Sequence, residues 1–98
     1  MYQVHWKYTV NAKYESEFEA LYGPKGDWVR LFERSPFYVA TFLYQCNKTQ
    51  FETIDIWLSK SSYLTFYREN QGKIQAIDDK GDRMTTTEIK FAEFEYLP

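Results

Sequence analysis

Residues 2–11 read YQVHWKYTVN, and large apolar side chains alternate with polar ones along the whole stretch. Side chains on a β-strand point alternately to the two faces of the sheet, so this period of two predicts a strand with one buried face. The apolar face of the predicted strand carries Tyr2, Val4, Trp6, Tyr8 and Val10. The opening of the chain therefore predicts a sheet with a core on at least one side.

The residues that follow change to the spacing of an α-helix. Their apolar side chains recur at intervals of three and four residues; they are Tyr14, Phe18, Leu21 and Tyr22. The pair Gly23-Pro24 is expected to end this helix, because glycine accepts a left-handed cap and proline cannot continue the hydrogen-bond ladder. Asp27 is then predicted to cap a short second helix that closes before Pro36.

The middle of the chain predicts a β-hairpin. Segments 37–46 and 50–58 have the composition of strands, and the polar residues 47–49 form the expected turn. One face of the later strand carries Phe51, Thr53, Asp55 and Trp57. The earlier strand is apolar on both faces, with Tyr38, Ala40, Phe42 and Tyr44 on one and Phe37, Val39 and Leu43 on the other. Both faces of the sheet are therefore expected to be covered.

The last third of the chain predicts a second helical region and a fourth strand. The helix is expected to begin at a serine cap, to break or kink at Gly72, and to end in a solvated turn at 78–83. A final strand over 88–96 changes phase between Phe91 and Phe94, which predicts a β-bulge.

The predicted order is strand, helix, strand, strand, helix, strand. This order is typical of an α+β protein with the ferredoxin-like split βαβ arrangement, in which helices cover one face of a four-stranded antiparallel sheet. Residues 1–98 are expected to form a single domain, because the chain is too short for two. A second copy of the chain is the simplest cover for the other face of the sheet, so we expect a homodimer.

Composition excludes several classes of partner. Three Trp, nine Tyr and eight Phe favour a packed core over disorder. The formal net charge of −2 argues against a nucleic-acid partner, although RNA-binding modules share this sheet topology. No apolar run is long enough to span a membrane, so no membrane partner is expected. The single His and single Cys do not supply a typical zinc site, and we expect neither a metal ion nor a cofactor.

The same features bear on localisation. Residues 1–7 lack the basic and then apolar layout of a signal peptide, and a lone cysteine, Cys46, fits a reducing compartment. We therefore expect a cytoplasmic protein.

Two side chains are candidates for catalytic acid–base chemistry. His5 is the one imidazole of the chain, and imidazole can take a proton from a phenol near neutral pH. Asp55 shares an apolar strand face, and a buried carboxylate must find a hydrogen-bond donor or change its pKa. Each also has a structural interpretation: His5 as a hydrogen-bonded strand residue, and Asp55 in a network with Arg68, Lys7 or a tyrosine hydroxyl.

Three aromatic side chains are candidates for ligand binding. Trp57 ends the third strand, and the apolar stripe of the next helix begins six residues later, so the indole can converge with Tyr63 and Tyr67. A pocket mouth of this kind suits a flat, partly apolar molecule, with His5 or Asp55 as the polar contact. The alternative is that all three rings are packing residues of the core.

Two segments of the sequence resemble a known family. The first is residues 20–24, ALYGP, with Gly26, Trp28, Leu31 and Phe32 behind it; the second is residues 53–57, TIDIW, followed by a serine-rich helix start with Tyr63 and Phe66. With this spacing, nearly the whole chain resembles the antibiotic biosynthesis monooxygenase-like superfamily. The resemblance implies the dimeric α+β barrel, in which two such sheets face each other, and a ligand cavity between sheet and helices.

The resemblance also implies an activity, namely cofactor-independent oxygenation of a small planar polyphenolic compound. The haem-degrading branch of the superfamily carries an Asn, a Trp and a His; Trp57 matches the tryptophan, but the second helix holds no histidine. The alternative function is a non-catalytic small-molecule-binding or structural homodimer. Polar groups that converge in an apolar pocket favour the enzyme, whereas a pocket filled by its own aromatic rings favours the alternative.

Overall fold

The computed structural model describes residues 1–96 and has the α+β architecture expected from the sequence. Its elements are β1 (Tyr2–Val10), α1 (Glu15–Tyr22), α2 (Asp27–Phe32), β2 (Tyr38–Gln45), β3 (Gln50–Trp57), α3 (Lys60–Glu69), α4 (Gln71–Asp82) and β4 (Thr85–Glu95). The strands form one antiparallel sheet in the order β2-β3-β1-β4. The helices pack on one face of this sheet, and the core lies between the two layers.

The alternation in β1 places its apolar side chains beneath the helices. Four of the five predicted core residues of this strand are buried; they are Tyr2, Val4, Tyr8 and Val10. The adjacent strand β3 adds Phe51, Thr53, Asp55 and Trp57, all of them buried as well. The helices contribute further rings, among them Phe18, Phe32 and Phe66. The core is therefore largely aromatic, and its tilted and edge-to-face ring pairs add to the stability that burial alone supplies.

A β-bulge in β2 changes which of its side chains face the core. The pairing register with β3 shifts by one residue between Tyr38 and Ala40. Tyr38 therefore lies beneath the helices with Thr41 and Leu43, while Ala40 and Phe42 lie on the other face. The prediction that Tyr38 shares a face with Ala40 and Phe42 is wrong, because the extra residue reverses the alternation.

A second bulge, in β4, lies where the sequence predicts one. Between His5 and Trp6 of β1 the pairing with β4 skips Phe91. The rings of Phe91 and Phe94 consequently both meet the His5 ring edge-on, with centroids 5.6 Å and 5.4 Å away. The predicted change of phase in the last strand is confirmed.

Asp27 does not cap α2 as predicted. Gly26 occupies the N-cap position, and Asp27 is the first residue of the helix. Its carboxylate instead accepts hydrogen bonds from Arg30 Nη2 at 2.6 Å and from Lys80 Nζ at 2.9 Å. Asp27 thus links α2 to α4, a partnership between distant residues that local sequence does not indicate.

The second helical region breaks and ends at different residues from those predicted. The break falls at Asn70, two residues before Gly72, and the solvated turn predicted at 78–83 is helical as far as its fifth residue. Gly81, inside that segment, is buried. A Cβ atom there would lie 2.5 Å from the hydroxyl oxygen of Tyr22, so the glycine allows Tyr22 to pack against α4.

The face of the sheet opposite the helices is uncovered in the single chain and carries exposed apolar side chains on β2 and β4. We call it the open face; these side chains include Phe42, Tyr44, Ile89, Phe91 and Phe94. Phe94 is 58% exposed. Exposed apolar side chains gathered on one face mark an interaction surface more often than a free one. Among residues 1–96, no helix is long and apolar enough to cross a membrane.

The packing around Trp57 leads to a test by mutation. Trp57 is 0% exposed, and its ring meets those of Phe32, Tyr38, Tyr63 and Phe66 at centroid separations of 5.1 to 5.8 Å. We predict that Trp57→Ala lowers the free energy of unfolding by about 3–5 kcal/mol, because the surrounding rings cannot close the space it leaves. Equilibrium unfolding in urea measures this loss.

Trp57→Phe is the matched control. Phenylalanine keeps most of the ring contacts and removes the indole N–H, which has no hydrogen-bond partner among residues 1–96. We therefore expect this variant to lower the free energy of unfolding by less than about 2 kcal/mol. Equal losses for the two variants would contradict a packing role for Trp57.

Candidate functional site

A cavity of about 140 Å³ lies between the sheet and the helices. We call it the aromatic cavity; its lining residues are Trp6, Tyr8, Tyr22, Trp28, Phe32, Thr41, Thr53, Asp55, Tyr67, Asp78 and Glu88. Six of these are aromatic, three are carboxylic acids, and none is Lys, Arg or His. The cavity therefore combines apolar walls with a few acidic groups, which is the usual composition of a small-molecule site.

Asp55 is the buried polar group of the aromatic cavity. It is 8% exposed, and its Oδ1 atom accepts a hydrogen bond from Thr41 Oγ1 at 2.7 Å. Thr41 Oγ1 in turn accepts a hydrogen bond from the hydroxyl of Tyr38 at 2.8 Å. This pair of bonds fixes the orientation of the carboxyl group. Neither Arg68 nor Lys7 is the partner of Asp55, and Lys7 lies near Glu52 instead, at 3.8 Å.

Burial determines the acidity of Asp55. Removal from solvent raises the pKa of its carboxyl group to about 6, although the hydrogen bond from Thr41 favours the ionised form and opposes the rise. An exposed aspartate has a pKa of about 4. The aromatic cavity thus contains a base that changes charge close to neutral pH.

Asp78 and Glu88 lie where the cavity meets solvent, and we call them the rim carboxylates. Asp78, on α4, is half-buried, and Glu88, on β4, is exposed. Partial burial raises the pKa of Asp78, and the negative charges of Asp82 and Asp79 add to the rise. Although Glu88 is exposed as a whole residue, its carboxyl group is partly removed from solvent, which raises its pKa, and the negative charges of Asp78 and Asp82 add to the rise. Within residues 1–96 neither rim carboxylate forms an ion pair, so this edge of the cavity carries uncompensated negative charge.

Trp28 brings an unpaired hydrogen-bond donor to the cavity wall. Its indole Nε1 atom is buried; the hydroxyl of Tyr22 lies near it, but no acceptor in residues 1–96 meets it with full hydrogen-bond geometry. The ring of Tyr22 lies beside it, at a centroid separation of 6.2 Å. A buried donor without a partner costs free energy, and an acceptor atom on a bound molecule would remove that cost.

The structure separates the two candidate catalytic residues. Asp55 lines the aromatic cavity, whereas His5 projects from the open face, where its Nε2 atom lies 3.2 Å from Oε1 of Gln3. Successive residues of a strand point to opposite faces, and His5 follows the buried Val4. One ligand within a single chain therefore cannot touch both His5 and Asp55.

The three candidate ligand-binding rings are also divided. Tyr67 lines the aromatic cavity, and burial raises the pKa of its hydroxyl, which is protonated at neutral pH, well above its ordinary value. Tyr63 is packed against Tyr67, with ring centroids 4.4 Å apart, and against Trp57 at 5.8 Å. Trp57 and Tyr63 pack against other core residues and do not line the cavity. The cavity is therefore not bounded by Trp57 at the end of β3, where the sequence predicts the mouth of the pocket.

Several lining residues are not among the candidates predicted from the sequence. Thr41 is recognisable there, since it is the one small polar side chain within the apolar run of residues 37–44. Its position on the core side could not be inferred without the bulge in β2, which sets its direction. The rim carboxylates come from α4 and β4, and their approach to the cavity depends on how those elements pack.

The described residues offer no site for a metal ion. Among residues 1–96, no group of three or more His, Cys, Asp and Glu side chains is placed to hold one. Asp55 and the rim carboxylates therefore line one cavity without forming a coordination cluster.

Comparison with known proteins identifies the fold. No family model and no curated protein matches the sequence. Among solved structures, a protein from Nitrosomonas europaea, described as a candidate antibiotic biosynthesis monooxygenase, matches at a TM-score of 0.69 and 11% identity, over 100% of both chains. The chain has the fold of the antibiotic biosynthesis monooxygenases.

Two further structures extend this comparison. SnoaB, described as a cofactor-independent oxygenase from Streptomyces nogalater, matches at a TM-score of 0.61 and 15% identity, over 99% of this chain and 93% of its own. A conserved protein from Methanosarcina mazei matches at 0.69 and 15% identity, over 95% and 89%. The sequence-based resemblance to the monooxygenase fold is confirmed, and at these identities the likeness concerns the fold alone.

The raised pKa of Asp55 predicts how stability depends on pH. Well below pH 4 the carboxyl group is neutral in both folded and unfolded chains and has no ionisation cost. As the pH rises towards 6, the unfolded chain ionises first, and the folded protein loses stability until its own pKa of about 6 is passed. The loss then stays constant at about 3 kcal/mol.

Asp55→Asn removes this cost and keeps an oxygen that can accept the hydrogen bond from Thr41. We compare the free energy of unfolding of this variant with that of the wild type at two pH values. We predict that the difference, variant minus wild type, is about 3 kcal/mol larger at about pH 8 than at about pH 4. Urea unfolding at both pH values measures the difference. Asp79→Asn, an exposed change, should show the same small effect at both. A pH-independent effect of Asp55→Asn would show that burial does not perturb this carboxyl group.

Proposed function

We propose that this protein is a cofactor-independent oxygenase that acts on a small planar phenol bound in the aromatic cavity, with Asp55 as the general base. The observation that carries the proposal is a buried carboxylate held by one hydrogen-bonded oxygen inside an aromatic-lined cavity. Perturbed acids in closed apolar pockets are typical of catalytic sites. The description of SnoaB as a cofactor-independent oxygenase on the same fold supports the assignment by analogy.

The geometry of Asp55 suits proton abstraction. Oδ1 is engaged by Thr41, and no donor in residues 1–96 meets Oδ2, so this second oxygen is free to accept a proton from a ligand. With a pKa of about 6, the group is mostly ionised at neutral pH and is a stronger base than an exposed aspartate. Thr41 and Tyr38 act as positioning residues, because Thr41 donates a hydrogen bond to the carboxylate and Tyr38 donates one to Thr41.

The proposed reaction balances with dioxygen as the oxidant. Asp55 takes the phenol proton, and the phenolate then gives an electron to dioxygen, so that a ring carbon ortho or para to the oxygen forms a C–O bond. Asp55 returns its proton to the resulting peroxide; the O–O bond then breaks as the ring carbon loses its hydrogen as a proton and becomes a carbonyl, and the departing hydroxide takes that proton and leaves as water. One phenol and one dioxygen thus give one quinone and one water. The apolar walls favour this sequence, because they exclude water from the reactive anion.

Activity measurements test this role. We predict that Asp55→Asn lowers kcat for oxidation of single-ring phenols by at least about a hundredfold, since a positioned base contributes on that order. An oxygen electrode measures the rate, and labelled dioxygen should place one oxygen atom in the quinone and one in water. Ligand binding without oxygen consumption by the wild type would favour the non-catalytic binding protein instead.

The pH profile separates a base from a merely structural carboxylate. The wild-type rate should rise with pH through about 6, as Asp55 ionises. Thr41→Val removes a hydrogen bond that favours the ionised form, so the midpoint should move to higher pH, while Thr41→Ser should restore it. A profile that is identical in all three proteins would exclude Asp55 as the base.

We also propose that the protein works as a cytoplasmic homodimer joined through the open face. Aromatic and aliphatic side chains of β2 and β4 are exposed there, and pairing two such faces would remove both from water. Each chain would then contribute half of a barrel with its aromatic cavity on the outer side of the sheet. Cys46 is exposed and unpaired, which suits a reducing compartment.

Sedimentation equilibrium tests the dimer. We predict twice the chain mass of 11.9 kDa at micromolar concentration, and the single-chain mass for Phe42→Glu, which places a charge in the open face. Leu64→Glu is the matched control, because Leu64 is equally exposed but lies on α3, away from the open face. A wild-type protein that sediments as a single chain would refute the dimer.

A further inference from the structure

We infer that the aromatic cavity takes a single-ring phenol that carries a positively charged amine, with the ring inside and the amine at the rim carboxylates. The inference rests on the proposed function and narrows its substrate class by size and by charge. It depends on three features of the site: the volume of the cavity, the sign of the charges around it, and the aromatic rings beside those charges.

The volume limits the number of rings. The cavity measures about 140 Å³. A buried apolar cavity of about 150 Å³ in another protein accommodates one benzene molecule. A fused system of three or four rings would need several times that space, so it could enter only if the helices moved away from the sheet. The cavity as it stands selects one ring.

The charges around the cavity favour a ligand with a positively charged substituent. Asp55, Asp78 and Glu88 line it, and no lysine, arginine or histidine does. Elsewhere on the surface, the carboxylate of Asp27 forms ion pairs with both Arg30 and Lys80. Because Lys80 is engaged there, it does not pair with Asp78, two residues before it, or with Glu88, eight residues after it, and their negative charge stays uncompensated. A cationic group on the ligand would supply the missing partner, whereas a carboxylate or phosphate would be repelled.

The relative exposure of the three carboxyl groups predicts how the ligand is oriented in the cavity. Asp55 is buried, Asp78 is half-buried, and Glu88 is exposed. A charged amine loses least hydration if it stays at the wet rim, while an apolar ring gains most by entering the dry interior. The phenol hydroxyl then reaches the inner end, where Asp55 can accept its proton.

Aromatic rings strengthen this arrangement at the rim. Burial raises the pKa of the Tyr22 hydroxyl, and the negative charges of Glu88 and Asp78 add to the rise, so Tyr22 lies near both rim carboxylates; Trp28 packs beside it. An ammonium group at the rim carboxylates therefore also lies close to aromatic rings, which attract cations. The Nε1 atom of Trp28 meets no acceptor in residues 1–96 with full hydrogen-bond geometry, and a second oxygen atom on the ring of the ligand, besides the hydroxyl at Asp55, can supply one.

Three probes of similar size and different charge test the inference on the purified wild-type protein. They are tyramine, 4-ethylphenol and 3-(4-hydroxyphenyl)propionate, whose side chains end in a cation, a methyl group and an anion. Intrinsic tryptophan fluorescence or calorimetry measures Kd for each. We expect tyramine to bind about fivefold to tenfold more tightly than 4-ethylphenol, and the anion to bind least. The advantage of tyramine should shrink as salt is added.

Charge-neutral variants assign the selectivity to the rim. Glu88→Gln and Asp78→Asn should each weaken tyramine binding by about threefold and leave 4-ethylphenol unchanged. Glu17→Gln is the matched control, because Glu17 is exposed on α1 and does not line the cavity. Circular dichroism confirms that each variant is folded.

The outcomes separate this inference from the proposed function. Equal binding of tyramine and 4-ethylphenol, unchanged in both rim variants, would overturn the amine selectivity while leaving Asp55 and the phenol site intact. Tighter binding of the anionic probe would overturn it in the same way. Failure of all three probes to bind would overturn both the selectivity and the single-ring phenol site.

Discussion

The burial of one carboxylate, that of Asp55, is the constraint around which the site is built. Its strand position places it on the helix-covered face of the sheet, between Thr53 and Trp57, where water cannot solvate its charge. The fold compensates with a single neutral hydrogen-bond donor, Thr41, instead of a cation. The charge is therefore only partly stabilised, and the carboxyl group keeps the basicity that catalysis near neutral pH requires. An arginine partner would have made the same residue a structural ion pair.

Two bulges decide what each face of the sheet is used for. The bulge in β2 turns Tyr38 and Thr41 towards the helices, so that the hydrogen-bond chain to Asp55 can form. The bulge in β4 brings Phe91 onto the open face beside His5, which makes that face apolar. One extra residue in each strand thus gives one face a polar site within an aromatic core, and leaves the other suited to a second copy of the chain.

The sequence predicts the elements well and the site only in part. Strict alternation identifies β1, and the phase change at Phe91 identifies the β4 bulge, because both are local patterns. The pairing of Asp27 with Lys80 and the burial of Gly81 against Tyr22 depend on contacts between distant residues, so no local pattern reveals them. Asp55 and Tyr67 were recognised as candidates and do line the cavity, but the rim carboxylates and Trp28 reach it only through packing.

The most direct test of this account is the titration of Asp55 itself. The carboxyl carbon resonance, followed by NMR in protein labelled at aspartate and assigned with Asp55→Asn, reports its pKa without any assumption about substrate. The account predicts a pKa of about 6 in the free protein, because the group is buried with one neutral donor. A pKa of about 4, the value of an exposed aspartate, would contradict the claim that a buried base defines this site.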